Sequence, residues 1–368
     1  MAWSTTSDLD QFAAAAGGYL TSRPAEHTLL LSAAQDARAA RAAASGARAP
    51  GARLLLGWWT PSDAGSPRGA FVHDPAAPLL ISGRVPEMAS SLAVALARAG
   101  REVRGVDAPT EVADAFAAAW SQREHTAVRA HRTSRVYRLT AQGSGVPGFQ
   151  GPRGFAGPPG FAGPPGRLRV AAGADHAMLA AWLRAAAIEA AERLGSPSDL
   201  ADELIGYGGA VLWEVPYRPG RLRDAAHALA VPHHRDMAQF GEPVPQPATL
   251  ATLTRPVAGC VRISLVYTLP ERRRSGYGTA LIQAVSHALL DGSGLPGLLG
   301  HGCAREIVMI TDRNRADRWG GRLGYQLVGE RSVLRFGPAT GPIPRAGAAG
   351  ARPRLPTGPL PRLPRLRG

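Results

Sequence analysis

Apolar residues in the first 142 positions follow two patterns in turn, helical spacing and short continuous runs. Helical spacing recurs over 8–20, 27–44, 86–100 and 110–122, and the short runs lie at 53–60, 69–73, 78–83 and 127–140. Helical spacing predicts amphipathic helices, and short apolar runs bounded by glycine or proline predict strands. This part of the chain is therefore expected to be a mixed α/β fold.

The same alternation returns in the second part of the chain, after residue 167. Helices are predicted at 175–195, 279–290 and 315–324, and a further helix starts at "SPSD" (Ser196–Asp199), where Ser is the N-cap and Pro follows it. Strands are predicted at 210–215, twice within 248–270, at 305–311 and at 325–336. Two irregular stretches, 216–247 and 291–303, interrupt this order.

A segment rich in glycine and proline separates the two parts. Between Gly145 and Gly166, glycine recurs at every third position, as it does in collagen. A collagen triple helix needs three chains and many more triplets, so a semi-rigid linker is the better interpretation. The predicted organisation is a folded segment 1–142, a linker 143–167, a second folded segment 168–337 and a disordered Pro/Arg-rich tail 338–368.

Composition removes several kinds of site. The 42 basic residues counted as Lys+Arg are all arginine. A Walker P-loop and a pyridoxal Schiff base both need lysine, so neither can be built here. The two cysteines, Cys260 and Cys303, form no ligand pair, and no metal site is expected.

Charge and the chain start bear on partners and location. A formal charge of +14 raises non-specific affinity for polyanions, but the arginines are scattered and no nucleic-acid-binding motif is present, so a nucleic-acid partner is not expected. The first residues lack the pattern of a signal peptide, and no stretch is apolar enough to cross a bilayer. A cytoplasmic location without membrane partners is therefore expected.

The segment "YTLPERRRSGYGTALIQAVSHALL" (Tyr267–Leu290) carries the clearest chemistry. It ends a strand and starts a helix, with three arginines and two glycines between them. Glycine lets backbone amides approach an anion, and a helix start adds partial positive charge and unpaired N–H groups. A phosphate or pyrophosphate ligand is predicted. A Rossmann fingerprint does not fit, because its third glycine would fall at Leu281, whereas R-x-x-G-x-G fits Arg273–Gly278.

In its context this motif resembles the GNAT superfamily of acetyl-CoA-dependent N-acetyltransferases. The resemblance covers about 167–336, and its specific part runs from "VRISLVYTLPE" through the motif to "TDRNRADRWGGRLGYQLVGE". It implies a GNAT fold in the second segment and acetyl-CoA as co-substrate. The first segment resembles a second, degenerate GNAT-like half, as in tandem members. Its matching turn, "ISGRVPEM", lacks the motif, so no cofactor is expected there.

The resemblance also implies where the cofactor lies. The strand before the glycine turn splays from its neighbour, so that free backbone groups at Val266, Tyr267 and Thr268 pair with pantetheine. Backbone N–H at Val266 or Tyr267 polarises the thioester carbonyl. The pyrophosphate is expected on the residues that the motif brings together, with one more contact from a family asparagine: Arg273, Arg274, Ser275, Gly276, Tyr277, Gly278, Thr279 and Asn314.

Two departures concern the family's proton donor and its glycine turn. The family often has a Tyr that protonates the departing thiolate, and here Gly320 falls in that slot, beside Trp319. Tyr325 belongs to the "LGY" packing position and is expected in the core. Where the family often has Gly in the turn, this chain has Arg274.

The base that deprotonates the acceptor amine is not determined by the sequence. Glu271 and Glu214 are the carboxylate candidates, and His233 and His234 lie in the irregular stretch. The sequence thus predicts an N-acetyltransferase that acts on a small-molecule or peptide amine. The alternative is a non-catalytic protein that binds acetyl-CoA or serves as a scaffold. Neither the acceptor nor the oligomeric state can be read from the residues.

Overall fold

The computed structural model describes residues 2–43, 54–62, 65–141, 164–190, 194–217, 244–292, 295–301, 304–313 and 323–338. Their strands are β1 (Ala2–Thr6), β2 (Leu55–Thr60), β3 (Gly69–His73), β4 (Leu79–Gly83), β5 (Gly105–Pro109), β6 (Thr126–Thr140), β7 (Arg167–Val170), β8 (Ala210–Tyr217), β9 (Val244–Leu253), β10 (Cys260–Thr268), β11 (Glu306–Asp312) and β12 (Gln326–Pro338). Their α-helices are α1 (Leu9–Ser22), α2 (Pro24–Ala43), α3 (Pro86–Arg98), α4 (Thr110–Glu124), α5 (His176–Ala190), α6 (Pro197–Gly206) and α7 (Tyr277–Leu290). The predicted mixed α/β class is confirmed.

The strands form one mixed sheet in the order β1-β2-β3-β4-β5-β12-β6-β11-β10-β9-β8-β7. The order is the same from both ends when each strand of β1–β6 is matched with the strand six places later in the chain, β1 with β7 and so on to β6 with β12. The pairing directions match as well: β4 is parallel to β5 and β10 is parallel to β11, and the other neighbours are antiparallel. The sheet therefore consists of two halves with the same topology.

The two halves exchange their last strands. The final strand of the chain, β12, lies between β5 and β6, while β6 lies between β12 and β11. The central pair β6–β12 has the longest register, from Gln326↔Arg138 to Pro338↔Thr126. Each predicted segment, 1–142 and 168–337, thus supplies one strand to the other half, and the boundary between them does not divide the sheet.

Helices cover both faces of the sheet because each carries one apolar stripe. In the first half, α1 and α2 pack on one face, and α3 and α4 build a separate core with the strands. In the second half, α5 and α6 cover one face, and α7 packs on the other with Leu281, Val285 and Leu289 fully buried. The predicted start of α6 is confirmed, since Ser196 Oγ accepts a hydrogen bond from Asp199 N at 3.2 Å.

The structure corrects several sequence boundaries. Two short edge strands, β1 and β7, were not predicted, and β7 begins at Arg167, where the linker was expected to continue. The irregular stretch 216–247 is narrower at both ends, because β8 extends to Tyr217 and β9 begins at Val244. Within the stretch 291–303, residues Leu298–His301 form a 3-10 turn. Most of the linker, most of the helix expected at 315–324 and the tail after Pro338 lie outside the described residues.

Two kinds of feature are absent from the described ranges. No helix among them is both long and apolar enough to cross a membrane. No group of three or more histidine, cysteine, aspartate or glutamate side chains there could hold a metal ion.

Candidate active site

Strands β10 and β11 separate part-way along their length and form a fork. Their parallel register runs from Cys260↔Glu306 to Ile263↔Met309 and then ends, although β10 continues to Thr268 and β11 to Asp312. On its other side β10 stays paired with β9 up to Thr268↔Thr249, after a bulge between Ile263 and Leu265. The bulge re-aims the strand at the point where the fork opens.

Backbone groups of β10 face the fork at alternate positions. The Tyr267 carbonyl accepts from Thr249 Oγ1 at 2.8 Å, and Leu269 N donates to the Ala248 carbonyl at 3.3 Å, so both residues face β9. The backbone N–H and C=O groups of successive residues point to opposite sides of a strand, so those of Val266 and Thr268 face the fork. Of the three residues predicted to hold pantetheine, Val266 and Thr268 therefore present backbone to the fork, and Tyr267 does not.

The glycine turn ends in an uncapped helix start. Gly276 is the N-cap of α7 and has φ +82°, a left-handed conformation that glycine adopts without strain. No side chain caps this end, and the first intrahelical bond runs from Ala280 N to the Gly276 carbonyl at 3.0 Å. The N–H groups of Tyr277, Gly278 and Thr279 thus precede that bond and are the usual orphan donors of a helix start.

The arginines of the turn lie at the mouth of the fork. Arg273 Nε donates to the Thr268 carbonyl at 3.0 Å, which ties the turn to the end of β10. Its Nη2 also bonds both carboxylate oxygens of Glu189 on α5, at 2.7 and 2.8 Å. Arg274 has φ +65°, a strained value for a residue with a Cβ, and strain of this kind clusters at ligand sites.

A cavity of about 480 Å³ lies at the fork and is large enough for a small ligand. Residues of β10 line it from Arg262 to Val266, together with residues of β11. The exchanged strands β6 and β12 also contribute, through Arg132 and Arg331 among others. The site therefore combines the predicted cofactor strand with side chains from both halves of the sheet.

Neither carboxylate proposed as the base lines this cavity. Glu214 is 6% exposed and lies on β8, where Arg167 Nε contacts Oε2 at 2.9 Å and Arg169 Nε contacts Oε1 at 2.5 Å. Both carboxylate oxygens are thus engaged by guanidinium groups. Glu271 is exposed in the 3-10 turn Pro270–Arg272, between β10 and the glycine turn.

The expectation that Tyr325 is a core residue is confirmed. Its side chain is 4% exposed and its hydroxyl lies 2.8 Å from Ser286 Oγ on α7. Burial raises the pKa of this hydroxyl well above its ordinary value. The other residues discussed for catalysis and cofactor binding lie outside the described residues: His233, His234, Asn314, Trp319 and Gly320.

Sequence reasoning did not identify any of the five charged residues that line the cavity. These are Asp107 on β5, Arg132 on β6, Arg262 on β10, Asp312 on β11 and Arg331 on β12. Arg262 could have been found, because it is a charged residue inside the apolar run "CVRISLV". The pairing of Asp107 with Arg331 could not have been, since it joins strands that are 224 residues apart.

Comparison with known proteins finds solved structures with a similar fold but no match in sequence. No protein-family model matches the chain, and no curated protein is similar to it. A solved structure of a protein from Drosophila matches with a TM-score of 0.52 and 11% identity, over 92% of this chain and 99% of that one. This likeness shows a shared fold alone.

Solved structures of N-acetyltransferases also match, at lower TM-scores. A GCN5-related N-acetyltransferase from Sphaerobacter thermophilus has a TM-score of 0.45 and 14% identity over 77% of this chain and 80% of that one. A tandem GNAT protein from the clavulanic acid biosynthesis pathway has 0.39 and 12%, over 93% of this chain and 100% of that one. The structural neighbours of the chain thus include GNAT-family N-acetyltransferases, one of them a tandem protein.

Proposed function

We propose that the chain is an acetyl-CoA-dependent N-acetyltransferase whose active site is the β10/β11 fork. The observation that carries the proposal is the position of the uncapped start of α7 beside the open edge of β10. A single extended ligand with an anionic group and an amide-bearing arm can occupy both. Acetyl-CoA has these two parts, a pyrophosphate and an amide-bearing pantetheine arm.

The helix start supports a pyrophosphate site in two ways. The orphan N–H groups at Tyr277, Gly278 and Thr279 and the helix dipole favour an anion. The exposed Arg273 and Arg274 add full positive charge. A carboxylate already holds Arg273, so the pyrophosphate would compete with Glu189 for that guanidinium. An exposed ion pair of this kind contributes at most about 1 kcal/mol of stability, and binding of a doubly charged ligand can offset its loss.

In the proposed reaction, the neutral amine nitrogen bonds to the thioester carbon, the C–S bond breaks, the CoA thiolate leaves, and the proton released from the nitrogen passes to the thiolate or to water. The Val266 N–H faces the fork and would donate to the thioester carbonyl, which stabilises the charge that develops on its oxygen. A thiol titrates near ~8.5, so the thiolate is a fair leaving group without a strong acid. Most of the acceleration then comes from holding the two reactants side by side.

Deprotonation of the amine is proposed to occur in solvent before attack. Glu214 accepts from two guanidinium groups, and we propose that it is structural. Glu271 is exposed in the 3-10 turn that follows β10 and does not line the cavity. An alkyl ammonium has a pKa near ~10.4 and only its neutral form attacks, so the rate at a subsaturating amine concentration should rise with pH up to that range.

The alternative, a protein that binds acetyl-CoA without turning it over, rests on a specific observation. Two titratable side chains of the second half, Tyr325 and the base candidate Glu214, are both buried and hydrogen-bonded to other groups of the protein. We propose that the first half does not bind the cofactor under either function.

Two measurements test these proposals. Calorimetric titration with acetyl-CoA should show one site per chain, and absence of binding would end the case for both functions. Release of free thiol is then followed with acetyl-CoA and a panel of primary amines. Thiol release with one or more amines supports the enzyme, whereas tight binding with no release for any amine supports the non-catalytic alternative.

A further inference from the structure

Arg262 projects from the strand that forms the fork and lines its cavity. Its backbone is held on the β9 side by two bonds: Arg262 N donates to Thr254 Oγ1 at 3.0 Å, and Thr254 N donates to the Arg262 carbonyl at 2.9 Å. On the β11 side it lies opposite Val308 in the last paired stretch before the fork. The base of this side chain is therefore fixed at the inner end of the cavity.

Other charged groups around the cavity have partners within the protein. Asp107 is paired with Arg331, whose Nε lies 2.9 Å from Oδ1. Arg132 and Asp312 also have interactions of their own. Arg262 differs from all of these. Its Nε is buried without a hydrogen-bond partner among the described residues, and none of their carboxylates lies within ion-pair distance of its guanidinium.

A guanidinium in this position lowers the stability of the fold. Arginine does not lose its proton in proteins, so the charge cannot be removed by titration. Burial lowers the pKa of Arg262, and Asp36 and Asp107 offset that only through longer-range attraction. Arg262 as a whole is half-buried, but its Nε is buried without a hydrogen-bonded partner, which destabilises the fold, and such groups persist where a ligand completes them.

We propose that Arg262 binds a carboxylate of the acceptor, so that the acceptor is an amino acid or another amine with a carboxylate a few bonds from its nitrogen. The planar guanidinium matches a carboxylate in a two-bond arrangement. Arg262 and Val266 line one cavity and are four positions apart, at most about 13 Å along an extended strand. The long Arg262 side chain can extend its guanidinium along the cavity toward Val266, so that a small acceptor can contact both. This inference rests on the proposed function.

The size and composition of the cavity favour a small acceptor. Its volume of about 480 Å³ is at the low end of the range for ligand sites, and part of it would be taken by the acetyl end of the cofactor. Polycationic acceptors are disfavoured, because Arg262 would repel a second ammonium group.

The test compares amines that differ only in the carboxylate. The twenty common amino acids, their carboxamides and the matching amino-phosphonates where they exist are assayed for thiol release with acetyl-CoA. We expect at least one amino acid to be used roughly 10–150-fold more efficiently than its carboxamide, the range of a hydrogen bond to a charged group. Arg262→Gln should abolish this preference by raising KM for the acid, while the affinity for acetyl-CoA stays within about twofold.

Two further variants make the result decisive. Arg305→Gln removes an exposed arginine at the start of β11 and should behave as wild type. If Arg262→Gln does not fold, Arg262→Lys replaces it, because lysine keeps the charge and loses the two-bond geometry. A smaller loss of acid preference is then expected.

Each remaining outcome overturns a different statement. Equal use of acids and carboxamides by the wild type, or an unchanged preference in Arg262→Gln, overturns the carboxylate site and leaves the enzyme intact. A stronger preference for phosphonates assigns Arg262 to a different anion and overturns the carboxylate class. Loss of acetyl-CoA binding in Arg262→Gln alone places the residue at the cofactor. Failure of every amine to release thiol overturns the proposed function and this inference together.

Discussion

The two halves of the sheet each contain a fork between parallel strands, and the two forks differ in what surrounds them. In the first half the register of β4 with β5 ends at Leu80↔Asp107, as the register of β10 with β11 ends at Ile263↔Met309. A cavity lies at each fork, of about 820 Å³ in the first half and about 480 Å³ in the second. The topology that opens a fork is therefore present twice.

The turns that follow the two forks have different backbone chemistry. In the second half Gly276, at φ +82°, begins α7 and leaves N–H groups unpaired. In the first half Val85, at φ −102°, begins α3, and Pro86 at the first helical position has no N–H to offer. Glu87 then places a carboxylate in the first turn of that helix. An anion would find fewer donors and a repelling charge there.

This contrast shows that the fork provides a space and the turn provides the ligand chemistry. A fold that repeats its topology need not repeat its function, since function depends on the residues grafted onto the fold. The proposal that acetyl-CoA binds only in the second half follows from these turns.

The largest effect is expected at the ion pairs that hold the exchanged strands. At each junction, an arginine of the exchanged strand contacts an acidic residue of the neighbouring strand. That acidic residue lies two positions before the residue that is paired with the arginine in the strand register. Arg331 of β12 meets Asp107 of β5 at 2.9 Å, and Arg138 of β6 meets Glu306 of β11 at 3.7 Å. The first pair is largely buried, with side chains 5% and 17% exposed, and the second is more open, at 39% and 19%.

We expect Asp107→Ala to lower the free energy of unfolding by about 3–5 kcal/mol, because it leaves Arg331 buried and unpaired. Glu306→Ala should cost about 1 kcal/mol or less, since its partner can turn to water. Urea unfolding of the two variants measures the difference. Arg331→Met in the Asp107→Ala background should recover most of the loss. Equal costs for the two single variants would show that the two junctions are energetically alike.

The next effect concerns the two turns. Gly276→Glu should weaken acetyl-CoA binding by about 100-fold or more, because the carboxylate meets the pyrophosphate and a Cβ is strained at this φ. The matched change in the first half is Val85→Glu, which puts a carboxylate at the start of α3 and should leave the affinity within about twofold. Calorimetric titration of both variants checks the contrast. A similar loss in Val85→Glu would place the cofactor in the first half.

Local patterns in the sequence predicted most of the elements and the glycine turn. The helix start at Ser196 was readable, because a cap acts through bonds within a few residues. The helix after the glycine turn was predicted from Thr279, two residues after its observed start at Tyr277. The edge strands β1 and β7 were not, since short edge strands depend on a neighbour for their pairing. The apolar residues of β10 indicated a buried strand, but its bulge and its fork arise from register.

The strand exchange was not predictable for a related reason. No local pattern in the sequence of β12 indicates that its neighbours in the sheet are β5 and β6 rather than β11. Charged side chains at the cavity were missed because the exchange brings them there, as with Arg331. Glu214 was proposed as a base from its residue type alone, and its pairing with Arg167 and Arg169 became visible only once β7 was placed beside β8.

The smallest effect is expected from a neutral histidine that lines the cavity at the first fork. His27 is 3% exposed and lines the cavity of the first half. Its Nδ1 is hydrogen-bonded to Ser82 on β4, its Nε2 is buried without a partner among the described residues, and the ring of Tyr19 lies 4.6 Å from its own. Burial lowers the pKa of His27 to about 4. The first fork is thus lined by a group that resists protonation.

A lowered histidine pKa makes stability fall as pH falls. The unfolded chain binds a proton near its ordinary pKa of about 6.5, whereas the folded chain does not until pH approaches 4, so the unfolded state takes up more protons between these values. Linkage then predicts a loss of about 1.3 kcal/mol from His27 between about pH 7.5 and 5.5. The pKa of His73 is lowered by burial too, so it adds to the loss in the same direction.

Urea unfolding at these two pH values separates the contributions. His27→Gln should remove about 1.3 kcal/mol of the pH dependence and leave acetyl-CoA affinity unchanged near neutral pH, because the cofactor is proposed to bind in the other fork. His125→Asn changes an exposed histidine with φ +50°, a conformation that asparagine tolerates, and should leave the pH dependence as it is. If His27→Gln retained the full dependence, the histidine would take up its proton equally in the folded and the unfolded chain. Its charge would then add to the arginines that already line the first cavity, Arg23, Arg68, Arg84 and Arg331, and the contrast between the two forks would be smaller.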